Sequence, residues 1–288
     1  MSSRYSRAYA TIEGAGVHLH RAFGYGEVPL FDPFLMLDDF RAGDNPQDYL
    51  RGFPWHPHRG IETVTHMLEG NVEHGDSMGN AGVVSAGDVQ WMTAGSGIIH
   101  QEMPKPVHGR MGGFQLWVNL PKSHKMMAPR YQEVKQLRIP TTTPVPGVSV
   151  KVISGEFGEV RGPVQDIVTS PSYFDICMEE GAKFTCPTRK GDTVAVYVTG
   201  GTGTFGDIPG TPVGNRDLLL LGDDDEVNAV SHTGPLRFLL FSGKPLGEPV
   251  AWGGPIVMNT QEELRQAFSE YRMGTFIKEK QAIKLAGD

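Results

Sequence analysis

The sequence predicts an all-β fold, built twice over, with one helix near the C-terminal end. Three observations carry this. Gly and Pro number 37 and 21 in 288 residues, which suits short strands joined by tight turns and disfavours a helical bundle. The apolar runs are short, bounded by glycine, and rich in Val, Ile, Thr, Trp and Phe. The two halves of the chain also resemble each other: "MLEGNVEHGD" (67–76) is echoed by "YVTGGTGTFGD" (197–207).

In order along the chain, "IETVTHML", "GVVSAGDVQWM" and "GFQLWVNL" read as strands, with "SMGNAG" and "TAGSG" as turns. The stretch "KQLRIPTTTPVPG" (135–147) reads as a linker. A second set of strands follows: "VSVKVIS", "SYFDICM", "TVAVYVTG", "DLLLLG" and "LRFLLFSG". The expected units are therefore 1–134 and 148–288. In "TQEELRQAFSEYR" (260–272), Leu264, Ala267, Phe268 and Tyr271 fall at helical spacing. Thr260 with Glu263 three residues on fits a capping box. This helix is expected to close the outside of a barrel.

Bulk composition narrows the function. Net charge is −7 and no basic run is present, so direct nucleic-acid binding is not expected. Two cysteines, Cys177 and Cys186, make no disulfide framework and point to a reducing compartment. No signal-like or membrane-spanning apolar stretch stands out. The expected location is cytoplasmic, or nuclear in a eukaryote.

The chemistry concentrates in "FPWHPHRGIETV" (53–64). On a strand, His56 and His58 point to one face and Pro57 to the other. Proline donates no ladder hydrogen bond, so this is a strand start or an edge. One strand cannot complete a coordination sphere. "GSGIIHQEMP" (95–104) supplies a second pair, His100 and Glu102, again two apart, after a glycine-rich turn. Three imidazoles and a carboxylate exclude a thiolate zinc site and suit Fe, Mn, Ni, Cu or Zn. On an octahedral ion they would leave two positions for substrate or O₂. Glu62 is a candidate for fixing an imidazole tautomer. Phe53, Trp55, Met92 and Trp117 are candidate cavity walls, and Phe31 to Phe34 a candidate mouth.

Other features are weaker. His18 and His20 repeat the spacing but have no second pair, no glycine turn and Arg21 as neighbour. His66 and His74 are taken as surface or core residues, His108, His124 and His232 as structural or solvated, and Cys177 as a small core residue. "GDDDEV", beginning at Gly222, lacks calcium-loop spacing. An approximate alignment of the halves sets Gly70 on Gly200. It places His56 and His58 against Thr188 and Lys190, and His100 and Glu102 against Val230 and His232. Only the first copy then keeps coordinating residues.

The run "DPFLMLDDF…GFPWHPHRGIETV…MLEG…GDVQWMTAGSGIIHQEMP…QLWVNLP" resembles the pirin family of the cupin superfamily. The likeness is dense from residue 31 to about 133 and continues more weakly through "VISGE", "SGKPLGEPV" and "GPIVMNTQEEL". It implies a bicupin, two tandem antiparallel β-barrels of jelly-roll type with a C-terminal helix. The N-terminal cupin (1–134) would bind metal, and the C-terminal one (148–288) would be degenerate. The family's metal positions fall on His56, His58, His100 and Glu102, and its metal is Fe(2+). The implied activities are quercetin 2,3-dioxygenase chemistry on a flavonol with O₂, with Glu102 as ligand or base, or iron-dependent regulation of a protein partner without catalysis. Two cupins in one chain fit a monomer paired internally.

Overall fold

The computed structural model describes residues 3–41, 45–107, 109–206, 212–222 and 225–278. His108, Asp223 and Asp224 lie outside them. The strands in chain order are β1 Arg4–Arg7, β2 Tyr9–Glu13, β3 Val17–Phe23, β4 Phe34–Asp39, β5 Phe53–His58, β6 Ile61–Glu69, β7 Asn71–Asp76, β8 Ala81–Ser85, β9 Val89–Thr93, β10 Ile98–Lys105, β11 Gly112–Asn119, β12 Arg130–Val134 and β13 Thr141–Thr142. There follow β14 Val148–Ser154, β15 Glu156–Phe157, β16 Val160–Arg161, β17 Ser172–Met178, β18 Lys183–Pro187, β19 Thr193–Gly200, β20 Thr202–Phe205, β21 Val213–Gly214, β22 Asp217–Leu220, β23 Glu226–Ser231, β24 Leu236–Gly243, β25 Ala251–Gly253 and β26 Ile256–Met258. Among the described residues one α-helix is present, α1 Gln261–Arg272. Its capping box is formed: Thr260 Oγ1 accepts from Glu263 N at 3.1 Å, and Glu263 Oε2 accepts from Thr260 N at 3.0 Å.

The all-β, two-barrel expectation holds, and the two units repeat one plan. The first barrel has a seven-stranded sheet, β12-β9-β6-β11-β4-β3-β2, and a four-stranded sheet, β5-β10-β7-β8. The second has β1-β22-β19-β24-β17-β14-β13 and β18-β23-β20-β21.

The units are not contiguous in sequence, which differs from the expected 1–134 and 148–288. The first gathers Ala10–Leu30, Phe34–Gln136 and Leu246–Asp288; the second gathers Met1–Tyr9, Phe31–Pro33 and Leu137–Pro245. The reason lies in which surfaces need covering. In the first barrel β12 covers the open edge of β9. In the second, β1 does this for β22, with Tyr5 and Arg7 donating to Asp217. The chain after β24 is then free to return to the first unit. There Ala251, Ile256, Met258, Leu264, Ala267 and Phe276 form one apolar cluster, with Ile99 of β10 packed against it. The closing helix therefore belongs to the first barrel. The stretch read as a linker carries β13, which pairs with β14.

The register also corrects the internal alignment. Gly70 and Gly201 occupy the same turn, with φ of 73° and 72°. A Cβ at either would meet a backbone carbonyl, Arg110 O at 2.7 Å or Pro235 O at 2.0 Å, so only glycine fits. Four residues on, His74 corresponds to Phe205. Glu102 lies opposite His74, and Ala229 opposite Phe205. His100 lies opposite His56, and Val227 opposite Cys186. The counterparts of His56, His58, His100 and Glu102 are thus Cys186, Thr188, Val227 and Ala229. The alignment read from the sequence runs too far along the chain for both pairs, by two residues at His56 and His58 and by three at His100 and Glu102, because the strands are joined by loops of different length.

Candidate metal centre

β5 is the edge of its sheet, as Pro57 requires, and among the described residues it pairs only with β10. Before β10, Gly95 and Gly97 take φ of 49° and 137°, a turn that brings the second strand antiparallel to the first. His56 and His100 are direct cross-strand partners. The Nε2 atoms of His56 and His58 lie 3.1 Å apart, and those of His100 and His56 2.9 Å apart. Ligand atoms of all three lie within 4.8 Å of one another, the sole such cluster among the described residues.

The hydrogen bonds fix the tautomers. His56 Nδ1 lies 2.8 Å from Pro54 O, and His58 Nδ1 lies 3.1 Å from Pro255 O. A carbonyl only accepts, so each Nδ1 carries the proton and each Nε2 presents a lone pair. Two lone pairs facing each other at 3.1 Å repel unless a cation sits between them. Burial, and then the neighbouring imidazoles, hold His58 and His100 well below the ordinary histidine value, so they resist taking a proton as that cation. A divalent metal fits this donor set.

The fourth expected ligand sits differently. Glu102 is buried, and a register shift separates it from His100. Its carboxylate accepts from Thr65 Oγ1 at 3.2 Å and from Gln115 Nε2 at 3.2 and 3.4 Å. It is not part of the three-imidazole cluster. Trp117 Nε1 donates to Gln115 Oε1 at 3.4 Å, which turns the amide nitrogen toward Glu102.

A cleft of about 650 Å³ opens onto His56 and His58. Phe53, Trp55 and Trp117 line it, as the sequence indicated, and Tyr25, Met36 and Trp252 join them. Trp117 and Trp252 lie 5.8 Å apart between ring centroids, Tyr25 and Trp252 5.6 Å. Arg21 in the same wall is held by Asp38 at 2.8 Å and Glu13 at 2.9 Å.

Several expectations are corrected. Met92 is core, packed with Ile61, Ala94 and Ile98. Phe31 to Pro33 belong to the second unit, where Thr193 Oγ1 donates to Asp32 O, and Phe34 is buried on β4. Glu62 does not orient an imidazole. It lies one residue out of phase with Thr63 and Thr65, so it projects from the opposite face and accepts from Thr93 Oγ1 at 2.7 Å. Burial pushes its carboxyl up. Cys177 is exposed, while Cys186 is buried. His74 is a core residue, one of the two places expected for it, bonded to Glu133 at 2.8 Å. Pro255 and Trp252 were not legible as site residues, since they lie roughly 200 positions from His56 in a stretch without a chemical motif.

A twofold β-barrel with an imidazole cluster inside one barrel defines a two-domain cupin with a candidate metal site. The comparisons then specify the family. Residues 16–118 match the model for pirin, and residues 173–277 the model for the pirin C-terminal cupin domain. A pirin-like protein of Caulobacter vibrioides is 47% identical over 92% of this chain and 95% of its own length. Pirin of Mus musculus is 43% identical over 90% and 88%. A crystal structure of quercetin 2,3-dioxygenase from Acinetobacter baumannii superposes with a TM-score of 0.86, at 31% identity, over 96% of this chain and 97% of that one. The chain belongs to the pirin family. No helix among the described residues is long and apolar enough to cross a membrane.

Proposed function

We propose that the first barrel holds one iron(II) ion on His56, His58 and His100, with Glu102 as the fourth ligand, and that the protein is a dioxygenase of flavonol-like aromatics. The observation that carries this reading is the convergence of three buried or half-buried Nε2 atoms with two tautomers fixed for coordination. The likeness to a structure bearing the name quercetin 2,3-dioxygenase supports the activity.

A bound divalent ion would lower the pKa of a coordinated hydroxyl and so favour the electron-rich anion that reacts with O₂. The protein's own residues do the rest. Trp55, Trp117, Trp252 and Phe53 offer flat apolar faces for an aromatic ring and exclude water from it. Glu102 is the carboxylate available to take the hydroxyl proton. Thr65 and Gln115 aim its oxygens through donated hydrogen bonds.

The test is O₂ uptake coupled to quercetin loss by iron(II)-loaded protein, beside His100→Ala. Coupled consumption that disappears in the variant is expected. No turnover with iron demonstrably bound would contradict the dioxygenase reading and favour a regulator that binds a protein partner.

A further inference from the structure

Three segments around the metal centre converge on one side chain, Arg59. It directly follows His58 and is 2% exposed. Nε donates to Ser96 O at 2.7 Å, in the turn that launches β10. Nη1 donates to Glu270 Oε2 of α1 at 2.7 Å, and Nη2 to Phe276 O at 2.8 Å. The guanidinium also lies over the Phe276 ring, 4.2 Å from its centroid. One planar fork thus ties the end of the strand carrying His56 and His58, the start of the strand carrying His100 and Glu102, and the C-terminal segment.

That segment reaches a ligand directly. Pro255 O is the acceptor of His58 Nδ1. The next residues continue the contact: Ile256 bridges Arg59, and Val257 N donates to Arg59 O at 3.0 Å. Two glycines make room. A Cβ at Gly60 would lie 2.0 Å from Val257 O, and one at Gly97 would lie 2.9 Å from the Phe276 ring. Lys125 Nζ, itself buried, donates to both Gly60 O and Val257 O at 2.9 and 3.0 Å. The family model assigns residues up to 277 to the C-terminal cupin domain, yet these contacts lie within the first unit.

We infer that Arg59 is a positioning residue of the metal centre and that residues 255–276 are a working part of it. Arg59 sets the spacing of the two ligand-bearing strands and holds the Pro255 carbonyl where it keeps the His58 proton on Nδ1 and the Nε2 lone pair directed inward. This rests on the metal reading above. A lysine at 59 cannot substitute, because one ammonium group does not span three acceptors lying in a fork.

Cobalt(II) titration followed by visible absorption tests this, on wild type, Arg59→Lys, Arg59→Met and Glu270→Gln, with thermal unfolding of each metal-free form. Wild type is expected to take one cobalt. Arg59→Lys should weaken binding by about 10–100-fold, the usual effect of losing an outer partner of a ligand, and should alter the cobalt band. Glu270→Gln keeps the shape and should weaken binding less. If Arg59→Met does not fold, Arg59→Lys decides the matter. Folded variants with wild-type affinity and an unchanged band, whatever their loss in Tm, would overturn the role of Arg59 alone. A wild type that takes no cobalt would overturn the metal reading and this inference with it.

Discussion

The two barrels share a strand order and differ in what faces inward. In the first barrel, His56, Thr65, His74, His100, Glu102 and Gln115 point into the interior or the cleft. Through the strand register their counterparts are Cys186, Val196, Phe205, Val227, Ala229 and Leu240. All six belong to one apolar cluster. Phe205 meets Phe238 edge-on at 4.9 Å, filling space that His74 and its partners occupy in the first barrel. The comparison teaches that the strand scaffold does not dictate a site. An apolar filling stabilises the second barrel by burial alone. The polar filling of the first requires every lone pair and proton to find a partner, which the three converging imidazoles do not supply to one another.

Exchanging the fillings should break this difference, most severely first. Ala229→Glu puts a carboxylate into the apolar cluster with no donor nearby. It should cost about 3–5 kcal/mol, as expected for an uncompensated buried charge. Urea unfolding measures this, and a loss below about 1 kcal/mol would show that the second interior is not the sealed core described.

The reverse exchange acts on the metal. His100→Val installs the residue found at the matching position of the second barrel. Metal affinity should fall beyond the ~100-fold upper range for outer-partner losses, while far-UV circular dichroism stays unchanged. Retention of one tightly held metal per chain would remove His100 from the site.

Gln115→Leu makes the same kind of exchange one step out. It removes the amide that donates to Glu102 and leaves the hydrogen bond from Thr65 in place. A stability loss of about 1–3 kcal/mol is expected for the under-bonded carboxylate. The double variant with Glu102→Ala should recover most of this, and a double variant as unstable as the sum of both single changes would contradict the coupling.

Acidity separates the barrels more gently. His58 and His100 are held below the ordinary value of about 6.5 in the folded state and regain it on unfolding. The unfolded chain therefore takes up protons that the folded chain refuses. Stability of the metal-free protein is full above pH ~6.5 and should fall below it, by up to about 1.4 kcal/mol per pH unit per imidazole. In the second barrel, burial pushes the Cys186 thiol from 9.0 up to about 12. Its contribution is full below 9.0 and is lost as pH climbs toward 12. Unfolding midpoints at pH 7.5 and 5.5, for wild type and His100→Val, should show a shallower acid limb in the variant. Identical limbs would mean that His100 does not supply the slope.

The parts of this legible in the sequence were those with short-range signals. Two-residue spacing put His56 with His58 on one face, and Pro57 marked the edge strand. Gly95 and Gly97 marked the turn, and Thr260 with Glu263 the helix start. What was not legible depended on long-range register. Trp252 and Pro255 reach the cleft because β1, and not a strand after β24, covers the second barrel's edge. Nothing local to residues 251–258 encodes that. Glu62 was misplaced because β6 is buried on both faces, so burial does not betray which face looks inward.

The most direct measurement is anomalous diffraction from crystals of the iron-loaded protein, collected at the iron edge. One peak per chain is expected, bounded by Nε2 of His56, His58 and His100, and none in the barrel that holds Cys186, Val227 and Ala229. A peak in the second barrel, or no peak among the three imidazoles at full iron loading, would contradict it.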